Sequence, residues 1–263
     1  MLWNGVSRIM IVNYEKFKNI EAKKWLEAEP FPHVIIDNLF QKDYLLKVLE
    51  EFPGKEDVSW WKYDNVFEKK LAYNNFFNFE ENTSKFFDEL NSKKFVKEVE
   101  KFTGIKNLIA DPSLRGGGMH RIGRGGKLDI HSDFPYHKPT GWKRSLNIIT
   151  FLNLDWKDEY GGHTELWDLE MKNCVQKVSP VFNRTIIFSV HETAWHGHPH
   201  PLRCPEHVSR MSLAAYYYVL EDSDKDIDYT STSYQKLPSQ DTTEEIEDMR
   251  KRRKMGRLKD MKT

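Results

Sequence analysis

From residue 114 to about residue 220, the chain consists of short stretches with strand character separated by turns, and this run limits its fold more than any other feature. Glycine and proline mark the turns, at 123–126, 139–141, 161–162 and 199–205. Regularly spaced short strands without helices between them are typical of an antiparallel sandwich or jelly roll, not of an α/β sheet. We predict strands at 118–122, 127–132, 146–153, 163–168, 175–178, 185–190 and 211–220.

The first 113 residues instead favour helices. Apolar residues recur at helical spacing, and Pro53–Gly54 and Gly104 are natural helix ends. The predicted elements are helices at 14–29, 44–52 and 83–103, a short strand at 31–37 and loops with short strands at 60–79. The expected fold class is therefore mostly β with flanking helices, a jelly roll with N-terminal α-helical support.

Composition divides the chain into three predicted parts. Residues 1–30 are mixed and charged and form a helical extension, and residues 31–220 form the jelly-roll domain with its helices. Residues 221–263 form a charged tail, and a frayed or disordered helix is expected over 242–263 because segments of like charge resist compaction.

Charge, cysteine content and hydropathy restrict the classes of partner and compartment. Lys+Arg and Asp+Glu number 40 each, so no net field attracts nucleic acid or an anionic membrane. Cys174 and Cys204 are too few for a disulfide framework and suit a reducing compartment. The apolar run 9–12 is too short for a signal-peptide core. We expect a cytoplasmic protein without nucleic-acid or membrane partners.

A histidine and an aspartate two residues apart, His131 and Asp133, follow the glycine pair at 125–126. Side chains at positions i and i+2 of a strand point to the same face, so these two can converge on one point. A third ligand from elsewhere would complete a two-histidine, one-carboxylate site with open positions, the arrangement of non-haem Fe(II) oxygenases.

The candidates for the third ligand are His191, His196, His198 and His200. The last three alternate along the chain and resemble a zinc-type cluster, but Gly197 and Pro199 interrupt the regular strand that would align them. We take His196 as the predicted ligand, with His191 and His198 as the alternatives.

Arg210 immediately precedes the predicted strand 211–220, whose small residues leave room beside a site. A guanidinium can bond both oxygens of a buried carboxylate at once. Arg210 is therefore the candidate for holding the far end of an anionic cosubstrate.

Taken together, these stretches resemble the 2-oxoglutarate/Fe(II)-dependent oxygenase superfamily, specifically its prolyl-4-hydroxylase-like branch. The resemblance covers roughly residues 30–218. The matching stretches are LRGGGMH (114–120), GGKLDIHSDF (125–134), RSLN (144–147), FLN (151–153), YGGHTELW (160–167), NRTIIF (183–188), WHGHP (195–199) and RMSL (210–213).

The resemblance implies a double-stranded β-helix with N-terminal helices packed on one sheet. It implies Fe(II) bound by His131, Asp133 and His196, with 2-oxoglutarate as cosubstrate held by Arg210, and ascorbate as a further candidate cofactor. The implied reaction is hydroxylation with molecular oxygen, which releases succinate and carbon dioxide. The carboxylate of Asp133 favours hydroxylation, because halogenating relatives lack it.

The chain departs from the pattern at Phe151. Several relatives have a tyrosine there whose hydroxyl bonds the cosubstrate carboxylate, whereas Phe151 offers no hydroxyl. Arg210 then needs another partner, for which Asn147 and Thr150 are the candidates.

The residues predicted to line the substrate site are Tyr136, Trp167, Trp195 and His120. The implied substrate is a peptidyl proline, a free amino acid or another small metabolite, and the oligomeric state stays open. Two rival functions are a cupin-type metal-dependent isomerase or hydrolase, which does not need Arg210, and a non-catalytic jelly-roll binding module.

Overall fold

A computed structural model describes residues 10–56, 60–221 and 230–254. Six helices lie in these ranges: α1 (Glu15–Lys18), α2 (Ala22–Leu26), α3 (Lys42–Glu50), α4 (Glu81–Leu90), α5 (Lys93–Thr103) and α6 (Glu244–Lys254). The strands there are β1 (His33–Asp37), β2 (Trp61–Asp64), β3 (Glu68–Tyr73), β4 (Ile109–Ala110), β5 (Gly118–Ile122), β6 (Lys127–Ser132), β7 (Lys143–Phe151), β8 (Thr164–Trp167), β9 (Cys174–Val178), β10 (Arg184–Ser189), β11 (His196–His198), β12 (Arg210–Val219) and β13 (Ser233–Tyr234).

The strands form one antiparallel sheet that encloses a cavity. Its main path runs β1-β10-β7-β12-β5-β3-β6-β11-β8-β9, and β3 pairs with both β5 and β6. Residues from β5, β7 and β12 face residues from β6, β8 and β11 across this cavity. The predicted jelly roll with flanking helices is therefore confirmed.

The N-terminal helices pack on the sheet through aromatic side chains. Phe17 of α1 stacks on Phe102 of α5 with ring centroids 6.0 Å apart, and Trp25 of α2 meets Phe102 edge-on at 5.5 Å. The Tyr217 hydroxyl of β12 donates to the Leu90 carbonyl oxygen at the end of α4, at 2.7 Å. Because aromatic pairs add to the free energy of burial, these contacts fix the helices against β12.

Two of the predicted helical regions are interrupted. The region 14–29 contains the short helices α1 and α2, and the block 83–103 divides into α4 and α5. Ser92 begins α5, because its hydroxyl oxygen accepts from the Phe95 amide at 3.1 Å. Gly104 ends α5 in the left-handed conformation, with φ of 73°.

The described part of the C-terminal segment contacts the sheet, and α6 packs there although a frayed or disordered helix was expected over 242–263; residues 222–229 and 255–263 of the predicted tail lie outside the described residues. Strand β13 pairs with β6, placing Tyr234 opposite His131. Arg253 of α6 forms an ion pair with the buried Glu68 at 3.0 Å. The boundaries at 30 and 220 stay a prediction, but residues 230–254 contribute to the cavity wall.

Among the described residues, no helix is both long enough and apolar enough to cross a bilayer.

Candidate metal centre

Adjacent strands bring the predicted ligands together. Strands β6 and β11 pair antiparallel with His131 opposite His196, and Asp133 follows the last residue of β6. Within the described residues, these three side chains form the one cluster able to hold a metal ion, with ligand atoms all within 4.8 Å of one another. All three lie in the wall of the cavity, whose volume is about 460 Å³.

Both imidazoles turn the same ring nitrogen toward the carboxylate. The Nε2 atom of His131 is 3.6 Å from Oδ1 of Asp133, and Nε2 of His196 is 3.5 Å from Oδ2. Two ligand atoms that bind one metal with bonds of about 2.1 Å lie about 3.0 Å apart when the angle between the bonds is a right angle, and about 3.4 Å apart when it is tetrahedral. The separations therefore need only a small contraction to suit a bound ion.

Backbone carbonyl groups fix the tautomers of the two histidines. Nδ1 of His131 lies 2.9 Å from the Asp129 carbonyl oxygen, and Nδ1 of His196 lies 2.9 Å from that of Ala194. A carbonyl oxygen only accepts, so each Nδ1 carries the hydrogen and each Nε2 presents a lone pair. Two lone pairs facing a carboxylate repel it unless a cation lies between them. The donor set therefore fits a divalent metal such as Fe(II).

Two side chains of β7 hold the carboxylate in place. Asn147 donates from Nδ2 to Oδ2 of Asp133 at 2.6 Å, and the Arg144 guanidinium lies 3.2 Å from the same oxygen. Arg144 also donates from Nε to Oδ1 of Asn147 at 2.8 Å, which fixes the orientation of the amide. Burial alone would raise the pKa of Asp133, but the Arg144 guanidinium lowers it well below its usual range. The carboxylate is thus an anion at any physiological pH.

Arg210 faces the cavity without a carboxylate partner in the described part of the chain. Its Nε donates to the Gly162 carbonyl oxygen at 2.7 Å and Nη2 donates to the Thr164 hydroxyl at 2.9 Å. The guanidinium lies 4.9 Å from the centre of the Phe151 ring. Burial lowers the pKa of Arg210 to about 9, so the group retains its charge at neutral pH and lacks an anion to balance it.

The structure gives Arg210 partners other than those predicted. Asn147 is bound to Asp133, and the Thr150 hydroxyl pairs with that of Thr185 on the neighbouring strand β10 at 2.9 Å. Thr164 on β8 supplies the hydroxyl instead. The sequence did not predict the contact between Thr164 and Arg210, because the two residues are 46 positions apart and meet only in the folded sheet.

The alternative histidine ligands lie elsewhere. His191 is exposed, and its Nδ1 is 3.2 Å from the Thr193 hydroxyl. His200 is also exposed, beyond the end of β11. His198 is buried, lines the same cavity as the ligand cluster, and has no hydrogen-bond partner for either ring nitrogen.

Three of the four residues predicted to line a substrate site lie outside the cavity wall. Trp167 and Trp195 pack together with Ile130, donating to Glu165 Oε2 at 2.9 Å and to the Leu169 carbonyl at 3.2 Å respectively. The Tyr136 hydroxyl donates to Glu221. His120 does line the cavity, and burial, with Lys70 and Arg210, lowers its pKa to about 3, so it is neutral.

Sequence reasoning missed a charged group on the strands that pair with β6. Lys70 and Arg253 both pair with Glu68, at 3.1 and 3.0 Å, and Tyr234 lies 5.5 Å from the His131 ring. Glu68 and Lys70 occupy positions i and i+2 of β3, a spacing that could have placed both on one face. Tyr234 and Arg253 lie in the segment predicted to be a charged tail, whose composition gave no indication of a site.

The fold and cluster together define a jelly-roll protein with a candidate metal site of two histidines and one carboxylate. Residues 117–218 match the family model described as "2OG-Fe(II) oxygenase superfamily". The matched segment contains His131, Asp133, His196 and Arg210. No curated protein matches the sequence.

Solved structures of prolyl hydroxylases share the fold at low sequence identity. A prolyl 4-hydroxylase of Phytophthora capsici has a TM-score of 0.53 at 20% identity, covering 82% of this chain and 69% of its own. A Trichoplax adhaerens prolyl hydroxylase, in complex with a hypoxia inducible factor peptide fragment, has a TM-score of 0.54 at 16% identity, covering 78% and 90%. A Pseudomonas putida prolyl-4-hydroxylase has a TM-score of 0.53 at 11% identity, covering 76% and 97%.

Residues 117–218 are thus similar to the 2OG-Fe(II) oxygenase superfamily, and the chain is prolyl 4-hydroxylase-like in its fold. This family uses Fe(II) and 2-oxoglutarate, as its name states.

Proposed function

We propose that this protein is an Fe(II)- and 2-oxoglutarate-dependent dioxygenase that hydroxylates its substrate. His131, Asp133 and His196 are the proposed iron ligands, and Arg210 binds the cosubstrate. One observation carries the proposal: a cluster of two Nε2 lone pairs and a carboxylate shares a cavity with a buried guanidinium that lacks an anionic partner.

His131, Asp133 and His196 would hold the iron, which would supply the chemistry by which molecular oxygen converts 2-oxoglutarate to succinate and carbon dioxide and hydroxylates a substrate C–H bond. The protein supplies ligand orientation and a pocket with few competing anions. The Asn147 amide and Arg144 keep Asp133 ionised and directed at the two imidazoles. The Arg210 charge favours a carboxylate at the opposite end of the pocket, because it is desolvated and unbalanced.

The substrate stays among the classes expected from the sequence: a peptidyl proline, a free amino acid or another small metabolite. A peptide is bound by the Trichoplax relative. The cavity wall carries three cations besides Arg144 and Arg210, namely Lys70, Arg115 and Arg253, against Glu68 as their carboxylate counterpart. This charge favours a substrate with an anionic group in any of the three classes. Ascorbate as a reductant stays a prediction.

The primary test is formation of succinate by purified protein given Fe(II), 2-oxoglutarate and oxygen. We expect slow turnover without added substrate, and its loss in Asp133→Ala. Asp88→Ala, on the exposed face of α4, is the matched control and should keep wild-type turnover. Absence of both iron-dependent turnover and 2-oxoglutarate binding in the wild type would reject the proposal.

A second variant separates this function from the cupin-type alternative. Arg210→Met should raise the KM for 2-oxoglutarate by about 10-fold or more, because a charge-assisted contact is lost. A metal-dependent activity that is indifferent to Arg210→Met would favour an isomerase or hydrolase.

A further inference from the structure

His198 is a buried polar side chain without a partner. It is 3% exposed, and neither Nδ1 nor Nε2 forms a hydrogen bond within the described residues. Leaving buried polar atoms unpaired costs free energy, so native structures rarely keep such a group without a role. A ligand that accepts a hydrogen bond in the cavity would remove this cost.

The position of His198 separates it from the metal cluster and places it in the same cavity as Arg210. His198 follows His196 by two residues in β11, and both line the cavity. Its ring nitrogens are not part of the cluster formed by His131, Asp133 and His196. Arg210 lines the same cavity and is buried as well, so one bound ligand can reach both the guanidinium and the imidazole.

The Arg210 side chain is restrained on one edge and free on another. Gly162 and Thr164 occupy Nε and Nη2, while Nη1 has no partner in the described part of the chain. Phe151 lies beneath the guanidinium and has no hydroxyl. Each carboxylate oxygen has more than one lone pair, so a carboxylate bound to Nη1 can accept a further hydrogen bond from another residue, and the imidazole of His198 is available to donate it.

We propose that His198 donates a hydrogen bond to the distal carboxylate of 2-oxoglutarate and, with Arg210, makes the site selective for an oxoacid with a second carboxylate. This inference rests on the proposed function. It assigns His198 the part that a tyrosine at position 151 would otherwise take, and explains why the histidine is buried without a protein partner. His198 is then a recognition residue for the cosubstrate and not a metal ligand.

The test compares two oxoacids with the same chelating end. Mn(II)-loaded protein is titrated by calorimetry with 2-oxoglutarate and with 2-oxopentanoate, which has the same carbon chain but no distal carboxylate. His198→Leu should weaken 2-oxoglutarate binding by about 10- to 100-fold, as expected for a hydrogen bond to a charged group. It should leave the affinity for 2-oxopentanoate and for Mn(II) unchanged. His198→Gln, which keeps a donor, should recover part of the lost affinity.

His191→Leu is the matched control, since His191 is an exposed histidine outside the cavity. It should bind 2-oxoglutarate as tightly as the wild type. Wild-type protein that binds 2-oxoglutarate while His198→Leu binds it equally well would overturn the inference and leave the proposed function standing. A parallel loss of Mn(II) or 2-oxopentanoate binding in His198→Leu would also overturn it, by indicating a role in the metal site or the fold. Failure of the wild type to bind 2-oxoglutarate would instead reject the proposed function and this inference with it.

Discussion

At the scale of single residues, the orientation of Asp133 depends on a chain of contacts from β7. Asn147 and Arg144 bind the same oxygen of Asp133, and Arg144 is itself enclosed by the Tyr216 ring, 3.4 Å from its guanidinium carbon. Groups that restrain a metal ligand commonly matter nearly as much as the ligand itself. Asn147 is thus a positioning residue for the carboxylate, and its predicted contact with the cosubstrate stays a prediction.

Asn147→Ala should weaken Mn(II) binding by about 10- to 100-fold, because Asp133 loses the amide that fixes its rotamer. Calorimetric titration with Mn(II) measures this. Thr150→Val is the control on the same strand: its hydroxyl pairs with Thr185, so folding stability should fall while Mn(II) affinity stays at the wild-type value. Equal Mn(II) affinity in the wild type and Asn147→Ala would show that Arg144 alone orients the carboxylate.

The sequence predicted best the residues that a spacing along a strand or the order of motifs identifies. The i, i+2 spacing placed His131 beside Asp133, and the motif order added His196 and Arg210, which the structure brings into one cavity. Asn147 and Thr150 instead pair with Asp133 and Thr185, because nothing in a strand sequence tells which neighbour an inward polar side chain will meet, and their role in cosubstrate binding stays a prediction.

At the scale of elements, β11 is a three-residue strand held tightly between two others. His196 pairs with His131 of β6 on one side and with Leu166 of β8 on the other. Gly197 permits this approach, since a Cβ atom there would lie 2.8 Å from the carbonyl oxygens of Leu128 and Asp129. The glycine that seemed to interrupt a strand is the residue that lets it form.

Gly197→Ala should destabilise the fold by about 1–3 kcal/mol, because the backbone of β6 must move away from β11. The same movement separates His196 from His131, so Mn(II) affinity should fall as well. Urea denaturation and metal titration measure the two effects. Gly54→Ala is the control, since a Cβ there meets nothing within 4 Å, and it should change stability by less than about 0.5 kcal/mol. Wild-type stability and metal affinity in Gly197→Ala would contradict the close approach.

Alternating and apolar patterns were sufficient to predict the long strands but not the short ones. The predicted strands at 118–122 and 127–132 coincide with β5 and β6. Strands β11 and β13 have three and two residues, too few for a periodic pattern to emerge, and they exist because β6 offers a free edge on either side. Tertiary pairing, and not local propensity, determines such elements.

At the scale of the whole molecule, the C-terminal segment completes the cavity. Tyr234 stacks on Phe67 with centroids 4.8 Å apart and lies beside His131, while Arg253 reaches Glu68 from α6. Composition alone assigned this segment to a charged tail, because a helix with little apolar surface gives no sign of where it docks. Its contacts here are ionic and aromatic, and they depend on a partner strand that is distant in sequence.

A chain ending at residue 221 should therefore melt at a lower temperature and bind Mn(II) more weakly than the full chain, because His131 loses the Tyr234 ring that covers it. A chain ending at residue 254 retains every contact described for the segment and should match the full chain in both properties. Thermal denaturation and calorimetry measure them. Indistinguishable melting and metal affinity in the chain ending at 221 would support a dispensable tail.

The ion-pair group at Glu68 should make stability depend on pH in a predictable direction. Burial alone would raise the pKa of Glu68, but Lys70 and Arg253 lower it to about 2, from an ordinary value of 4.5. A carboxyl group whose pKa is lower in the folded state stabilises the fold above the unfolded pKa, and this contribution disappears as pH falls toward the folded pKa.

The pH-dependent advantage of the wild type over Glu68→Gln should therefore be at most about 3 kcal/mol near pH 7 and shrink between pH 4.5 and 2. Urea denaturation at pH 7, 5, 4 and 3 measures it. Glu81→Gln, which removes an exposed pair with Lys85, should differ little from the wild type throughout. A Glu68→Gln deficit that stays constant with pH would show that Glu68 acts through packing and not through its charge.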